Sequence, residues 1–580
     1  MFADCCIKSH YVGICIFVTI FCTFAAIADS IQNIGTTKQL FIDDFIIENT
    51  SNVIRTLNQA IKSDPVIFPE HSWEGIGSNF PSTYLYGTVL REGDTFRMWY
   101  QTLADNGKYL TCYAESVNGV DWVKPLGLGI YKYNGSFQNN IVGEMAAVSV
   151  VMGGPGDDTQ KKYYSYSYRD LKGFFTAVSE DGIRWNDIAV HKNFASTGGG
   201  DVCSMVWDSL KRQFVVFYKH HRDDGMQFHR DFYFATTYDL INFSAGTIMT
   251  GLADSNDSLG HLRADCYGIG VYPYEDVYIG FDWVFHIDRW PNGQGGPIDV
   301  QLVFSRNLSK PWQCPFRKPI IPLGAPGTFD GGMITTATYP IRVGDEVWLY
   351  YGGWNGEHDA PNRSGKIGIA KWRLDGFVSL NSGDSEAVVT TRRIMFSGSG
   401  LFLNADASAM NSYLLAELVD TTGMALKGFS KNDCVPIKSD GVRLPVVWHN
   451  SSKVSDLSNM PCKIKFYMKN ARIYSFQFAE NDTGSKGNNP IATYPEVSIF
   501  PNPFFNSISV SYKNLKENKS EIIIFSVCGK KVWSTTVFGE RGTLRWDGRD
   551  LNKRFCASGM YYVRLINDRQ YRICRICLLR

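Results

Sequence analysis

The stretch Ala114–Trp122, which reads AESVNGVDW, decides the fold because its pattern returns along the chain. A strand ends in Ala-x-Ser, an Asn-Gly or Asp-Gly turn follows, and an aromatic residue begins the next strand. Asn-Gly and Asp-Gly accept positive φ and are typical of β-hairpin turns. Further copies, of decreasing similarity, lie at Ala177–Trp185, Ala235–Phe243 and Phe304–Trp312.

An aromatic-rich strand precedes each copy and occurs five times, at Phe96–Tyr100, Lys162–Tyr166, Gln213–Tyr218, Val277–Phe281 and Val347–Tyr351. Before each aromatic strand lies another strand, rich in small residues, which we expect to be the innermost of its sheet. This repetition predicts five antiparallel blades packed radially around one axis. A pair of β-sandwiches is the competing architecture, but it would not repeat the unit five times.

The composition fits a large folded protein of several domains. The chain has 580 residues, of which 44% are hydrophobic, 20% charged and 14% aromatic. Aromatic richness favours strands, and helical periodicity is nearly absent. The formal net charge of +1 gives no electrostatic reason to expect nucleic acid or an anionic membrane as a partner.

The order of segments predicts an exported all-β chain. An apolar run after Lys8 ends in Ala26-Ile27-Ala28, which is typical of a cleaved signal peptide, and no stable transmembrane segment is expected. The predicted segments are a signal peptide at 1–28, a five-bladed β-propeller at 39–385, a small β-sandwich at 391–480, a linker at 481–493 and a C-terminal domain at 494–580.

The C-terminal domain carries the motifs Val497–Phe504, Leu544–Asp550 and Ala557–Leu565. They closely resemble the C-terminal sorting domain of the bacterial type IX secretion system, which is an immunoglobulin-like sandwich. The resemblance implies that the secretion machinery is a partner and that the protein is secreted or displayed at the cell surface.

Carboxylates precede four of the five predicted inner strands: Glu144, Asp201, Asp265 and Asp330. Inner strands of a propeller begin at one face of the channel, so these side chains are predicted to surround its mouth. Hydrolysis of a glycosidic bond needs such a group of carboxyls, one as acid and another as nucleophile or base. The alternative is structural, because an Asp before a strand often caps a turn.

Aromatic and polar side chains near the same mouth are candidate substrate-binding residues: Tyr84, Arg263, Tyr267, Trp283, Trp354, Glu357 and His358. No ligand cluster with metal-binding spacing is present in the sequence. We therefore predict no cofactor and no metal ligand, and leave a calcium ion in the channel open. Cys434 and Cys462 flank strands of one module and are a candidate disulfide in an oxidising compartment.

Residues from 39 to about 480 resemble bacterial secreted propellers related to glycoside hydrolase families 32 and 43. The matching stretches are Leu40–Asp44, Phe96–Tyr100, Ser179–Trp185 and Asp345–Gly353. The resemblance implies catalytic carboxylates on inner strands of different blades.

Together these features predict a secreted glycoside hydrolase acting on a polysaccharide or oligosaccharide. The rival hypothesis is a carbohydrate-binding propeller without catalysis. A lyase or sialidase-like enzyme is a third, and a sialidase would need an arginine triad from residues such as Arg169, Arg222 and Arg263.

Overall fold

A computed structural model describes residues 31–579 apart from short gaps, at 154–162, 170–171, 192–200, 224–227, 289–294, 450–452, 481–495, 501–504, 506, 514–518, 527–529, 540 and 568–569. The predicted signal peptide and linker lie outside the described residues. The chain forms two compact units, with the main boundary after Asn481. The regular structure described is all strand, apart from four single 3-10 turns at Ser72–Glu74, Ser255–Asp257, Lys431–Asp433 and Val454–Leu457.

Five antiparallel groups of strands follow one another in the first unit, and we name them blades 1 to 5. From the inner strand outward, blade 1 contains Tyr84–Glu92, Thr95–Leu103, Tyr109–Ser116 and Ile141–Gly143, with Trp122–Val123 also paired to its third strand. Blade 2 contains Ala146–Met152, Tyr163–Arg169, Gly173–Ser179 and Asn186–His191. Blade 3 contains Cys203–Asp208, Gln213–Asp223, Phe228–Thr237 and Thr247–Ile248.

The last two blades share one sheet. Blade 4 contains Arg263–Tyr274, Val277–Ile287, Ile298–Ser305 and Pro319–Ile321. Blade 5 contains Met333–Thr336, Glu346–Trp354, Gly365–Arg373 and Ile61–Lys62, with Ile341–Val343 also paired to Glu346–Trp354. One parallel pair, Ile298 with Met333, joins them, so the count of five separate blades stays a prediction.

Hydrogen bonds between the inner strands close a ring around an axis. Ser149 Oγ donates to Met205 O over 3.1 Å, and Ser204 Oγ donates to Ile269 O over 3.1 Å. Three more bonds complete the circuit: Val150 N to Thr88 Oγ1, Val271 N to Thr338 O and Thr338 N to Gly87 O. Each neighbouring pair of blades is therefore linked, including blade 5 to blade 1.

Small residues allow this close approach. A Cβ on Gly270 of blade 4 would lie 2.7 Å from Ala337 O, next to the inner strand of blade 5, and one on Gly352 of blade 5 would lie 2.8 Å from Leu85 N of blade 1. Within blade 1, a Cβ on Gly87 would lie 2.1 Å from Trp99 O on the adjacent strand. Farther out, Trp99 of blade 1 is fully buried against Tyr163 of blade 2, with ring centroids 5.9 Å apart. Large aromatic side chains thus fill the widening space between blades.

The repeated turn joins the last two strands of a blade and also contacts the neighbouring blade. Asp181 Oδ1 accepts hydrogen bonds from the backbone of Ile183 and Arg184, and Gly182 has a φ of 77°. The indole Nε1 of Trp99 donates to Gly182 O over 2.7 Å, so the turn also fastens neighbouring blades together. In the third copy Leu240 occupies the glycine position with a φ of 61°.

A two-sheet sandwich completes the first unit. One sheet orders Asp440–Pro445, Gly400–Asp406, Arg472–Ala479, Val378–Asn381 and Ile54–Leu57, with Gln39–Leu40 paired to the third of these strands. The other sheet orders Ile47–Ser51, Ala387–Thr391, Lys463–Lys469 and Tyr413–Val419. Gln32–Gly35 forms a separate parallel pair with Ile394–Phe396.

The predicted start of the propeller at residue 39 differs from the structure, which places the strands of residues 39–57 in the sandwich. The physical reason is Phe41, which is fully buried with its ring 5.9 Å from Phe476 and 6.3 Å from Phe466. The apolar side chains that suggested a propeller strand fill the sandwich core instead. Cys434 and Cys462 are buried and free, so the candidate disulfide is wrong.

The second unit is itself a β-sandwich. Its three-stranded sheet orders Glu496–Phe500, Ile508–Lys513 and Gly542–Trp546, and its four-stranded sheet orders Lys531–Val537, Ser520–Ser526, Gly559–Asn567 and Gln570–Leu578. Trp546 and Tyr561 belong to the core between them. In the described part of the chain, no helix has the length and apolarity needed to cross a bilayer.

Candidate active site

A cavity of about 1050 Å³ opens where the inner strands begin. Blades 1, 2 and 5 contribute Tyr84, Ala146 and Met333, which are the first residues of their inner strands. Asp201, just before the inner strand of blade 3, and Tyr267 of blade 4 complete the circuit. The cavity is thus axial and receives side chains from all five blades.

Asp201 lines this cavity and pairs with a buried lysine. Lys219 Nζ lies 2.7 Å from its Oδ1, and the ammonium is only 3% exposed. The Asp201 side chain is 44% exposed, and that surface faces the cavity. Burial opposes ionisation, but the charge and hydrogen bond of Lys219 outweigh it and hold the pKa of Asp201 below its usual value. Asp201 is therefore an ionised carboxylate at neutral pH.

His221 lines the cavity beside this pair. Burial, together with the charges of Lys219 and Arg230, lowers the pKa of His221 to about 4. The imidazole is therefore neutral at neutral pH and suited to hydrogen bonding rather than to holding a charge.

Glu144 is the second carboxylate that lines the cavity. Its Oε2 accepts hydrogen bonds from Lys108 Nζ and from the Tyr131 hydroxyl, each over 3.1 Å. The Glu144 side chain is half exposed, whereas the Lys219 side chain is buried. Asp201 and Glu144, two of the four predicted carboxylates, thus line one cavity.

An aromatic wall faces these polar groups. The rings of Tyr84 and Trp354 lie 4.9 Å apart, and those of Tyr84 and Tyr86 lie 5.1 Å apart. Tyr267 shares a 3.2 Å hydrogen bond with His358 Nε2. Four predicted binding residues, Tyr84, Tyr267, Trp354 and His358, therefore line the cavity together. Aromatic faces with a few fixed polar groups are typical of small-molecule sites.

Asp265 does not line the cavity, contrary to the prediction. Its side chain is 4% exposed and lies 3.1 Å from Arg263 Nη2 and 3.6 Å from Arg230 Nη1. Burial raises the pKa of Asp265 despite these cations. Arg230 itself lines the cavity, so Asp265 supports the wall from behind. Arg263, predicted to bind substrate, pairs with this buried carboxylate and is not among the residues that line the cavity.

Asp330 points into blade 5 instead of the channel. Its Oδ2 accepts hydrogen bonds from Lys62 Nζ over 2.7 Å and from the Tyr351 hydroxyl over 2.9 Å. The prediction that it reaches the cavity is wrong, because Lys62 on the outermost strand of the blade draws the carboxylate outward.

Two predicted binding residues also lie elsewhere. Trp283 is 2% exposed, stacks on Tyr86 with ring centroids 5.3 Å apart, and donates its Nε1 hydrogen to Thr336 Oγ1. It therefore backs the aromatic wall without lining the cavity. Glu357 is exposed, and its backbone oxygen accepts a hydrogen bond from Arg363 Nη1 over 3.2 Å.

Sequence reasoning missed several cavity residues: Tyr86, Gln101, Lys108, Lys219, Arg230 and Arg363. A signal for Lys219 existed. The third aromatic strand extends from Gln213 to Asp223, so Lys219 and His221, two residues apart, fall on one face. Arg169, one of the arginines considered for a sialidase triad, also lines the cavity and binds Asp187.

One group of described side chains has the composition and spacing to hold a metal ion: Glu70, His71 and Glu74. Lys124 Nζ lies 2.8 Å from an oxygen of each glutamate, so an ammonium already serves these carboxylates. None of the three lines the axial cavity. A calcium ion in the channel stays untested.

Comparison with known proteins identifies the export module. Residues 498–578 match the secretion system C-terminal sorting domain. The chain therefore carries a type IX sorting domain and is a secreted or cell-surface protein. No curated protein matches the chain.

Solved structures with a similar arrangement are remote in sequence. One is an α-L-arabinofuranosidase from Podospora anserina in complex with cellotriose, with 14% identity and a TM-score of 0.37 over 55% of this chain and 98% of that one. Another is a family 43 arabinoxylan arabinofuranohydrolase from Bacillus subtilis, with 10% identity and a TM-score of 0.35 over 72% and 99%. An exo-β-1,3-galactanase from Phanerochaete chrysosporium has 13% identity and a TM-score of 0.34 over 72% and 100%.

Proposed function

We propose that this protein is a secreted glycoside hydrolase whose active centre is the axial cavity. The observation that carries the proposal is that Asp201 and Glu144, from different blades, line one cavity opposite an aromatic wall. Aromatic faces bind the apolar faces of sugar rings, and two carboxyl groups suffice for acid–base cleavage of a glycosidic bond.

The charge state of Asp201 assigns it the role of nucleophile or base. Hydrolysis adds water across the glycosidic bond: the leaving oxygen gains a proton and the anomeric carbon gains a hydroxyl group. Asp201, ionised beside Lys219, attacks the anomeric carbon or takes a proton from water. Glu144 then takes the complementary role and protonates the leaving oxygen.

A carbohydrate-binding protein without catalysis is the second candidate. It is favoured by the ion pairs, because Lys108 and Lys219 each hold one of the two carboxylates. An ion-paired carboxylate accepts hydrogen bonds from sugar hydroxyls well but donates a proton poorly.

Incubation of the full chain with a panel of polysaccharides and oligosaccharides separates the two. Release of reducing ends that falls about 100-fold or more in both Asp201→Asn and Glu144→Gln supports the hydrolase. Asp276→Asn is the matched control, because Asp276 binds Arg306 outside the cavity. Saccharide binding without any product supports the second candidate, and no binding to any saccharide contradicts both.

A further inference from the structure

Cations outnumber carboxylates among the side chains that line the axial cavity. The two carboxylates are Glu144 and Asp201. The six cationic side chains are Lys108, Arg169, Lys172, Lys219, Arg230 and Arg363. Binding of a neutral sugar requires hydrogen-bond donors and acceptors but does not require an excess of cations over carboxylates.

Four of these cations have carboxylate partners. Lys108 binds Glu144 and Lys219 binds Asp201 inside the cavity. Arg169 is held by both oxygens of Asp187, and Arg230 lies beside Asp265. The carboxylates named here are therefore already paired with cations. Asp265 also pairs with a second arginine, Arg263.

Lys172 and Arg363 differ from the other four cations in their partners. Within the described ranges neither forms an ion pair with a carboxylate. Arg363 is half-buried and is positioned by a hydrogen bond from Nη1 to Glu357 O and by the Trp354 ring, whose centroid lies 5.3 Å from its Cζ. Lys172 is exposed and follows the second strand of blade 2. Among the residues that the structure describes, two positive charges on different blades thus face one cavity without an ion-paired carboxylate.

We propose that the cavity binds an anionic saccharide, with the guanidinium of Arg363 on its carboxylate or sulfate group and Lys172 as a second cation. The inference rests on the proposed function and names the substrate class of the same site. A guanidinium presents paired N–H donors that match the two oxygens of a carboxylate or sulfate. The contact with the Trp354 ring and the hydrogen bond to Glu357 O hold this guanidinium in place before the ligand arrives.

Calorimetric titration of the full chain tests the inference with three sets of probes. Oligogalacturonates carry carboxylates, carrageenan oligosaccharides carry sulfate esters, and xylo- and cello-oligosaccharides are neutral. We expect one anionic set to bind at least about 10-fold more tightly than the neutral set. Which anionic set binds distinguishes a uronate from a sulfated sugar.

Substitutions then locate the anion. Arg363→Gln should weaken binding of the anionic probe about 10- to 100-fold, and Arg363→Lys should restore part of the loss. Arg342→Gln is the matched control, because Arg342 also donates to a backbone oxygen but lies outside the cavity.

Lys172→Gln should weaken binding less, because its side chain is exposed, and Lys310→Gln on another exposed turn controls for it. Thermal unfolding verifies that each variant is folded.

Salt provides an independent readout. Raising ionic strength from about 0.01 M to about 1 M shortens the Debye length from about 30 Å to about 3 Å and should weaken binding of the anionic probe steeply. Equal binding of neutral and anionic probes, with no effect of Arg363→Gln, would overturn the inference and leave the hydrolase proposal standing. Failure of every saccharide to bind would overturn both.

Discussion

The ammonium of Lys219 lies 2.7 Å from Asp201 Oδ1 and 4.2 Å above the ring of Tyr267. One buried cation therefore sets the charge of the central carboxylate and fixes the position of an aromatic wall residue. Because Lys219 is 3% exposed, solvent replaces little of its effect.

Replacement of Lys219 by Met should move the acidic limb of the pH–activity profile to higher pH. Lys219 is the largest of the causes that lower the pKa of Asp201, and without it burial is opposed only by a backbone hydrogen bond and by His221, so that pKa rises. Activity that needs an ionised Asp201 is lost as pH falls through this pKa, so the loss begins at a higher pH in the variant. Cleavage rates, or saccharide affinities, measured across pH values give the limb directly.

Lys211→Met serves as the control for this shift, since Lys211 pairs with Asp208 on the same blade outside the cavity. An acidic limb that is unchanged in Lys219→Met would show that Asp201 does not govern the reaction.

Gly87→Ala should destabilise the first unit by about 3 kcal/mol or prevent its folding. A Cβ at this position would lie 2.1 Å from Trp99 O, where the backbone cannot yield without disturbing the ring of inner strands. Urea unfolding followed by tryptophan fluorescence measures the change. Gly383→Ala, whose Cβ meets nothing within 4 Å, should differ from the parent by less than about 0.5 kcal/mol.

Asp330→Asn should destabilise the same unit by about 3 kcal/mol while leaving saccharide affinity of the folded protein unchanged. The substitution leaves the Lys62 ammonium without its carboxylate on the strand that completes blade 5. Chemical unfolding and calorimetric titration on the same sample test both halves. A loss of affinity without a loss of stability would return Asp330 to the catalytic group.

Asp282→Asn should stabilise the protein most above pH 7. Burial, with Asp257 and Asp299 nearby, raises the pKa of Asp282 to about 7. A carboxyl whose pKa is raised on folding stabilises the native state below its unfolded pKa of about 4. That contribution is lost as pH rises through about 7, when an ionised group must stay buried.

Melting temperatures of the parent and of Asp282→Asn across this pH range give the comparison. The advantage of the variant should grow between pH 5 and pH 8. A constant difference across the range would mean that Asp282 does not change its ionisation there, and Asp276→Asn controls for loss of a carboxylate elsewhere.

The strand pattern was predictable because the inner and aromatic strands depend on local alternation. The predicted aromatic strand Phe96–Tyr100 falls within Thr95–Leu103, and the predicted aromatic strand Gln213–Tyr218 falls within Gln213–Asp223. Gly182 at a φ of 77° shows why the Asp-Gly turn was a dependable marker. The sorting domain could also be predicted from the sequence, because its motifs lie in one continuous segment.

The destination of each carboxylate was not predictable from its position before a strand. Asp201 and Asp265 are both predicted to precede inner strands of neighbouring blades. In the structure Asp201 precedes its strand and faces the cavity, whereas Asp265 is the third residue of Arg263–Tyr274 and is buried among arginines. The difference depends on Arg230 and Arg263, which belong to different strands of the fold. Local sequence contains the acid but not the cation that decides its orientation.

The assignment of residues 39–57 to the propeller differs from the structure for a related reason. Their alternation identifies them as strands but does not say which sheet they join, because their partners lie more than 300 residues later, as in the pairing of Leu40 with Ser475. Pairings of such long range are specified by the whole core.

The strand Ile61–Lys62 has a consequence for the order of events during biogenesis. It completes the blade that comes last, and Lys62 binds Asp330, which lies 268 positions later in the sequence. The circle therefore cannot shut until nearly all of its sequence has been synthesised, and loop closure of this length is intrinsically slow. Early in its life the polypeptide is an open chain of partly formed sheets, which is the state that a holding chaperone would meet.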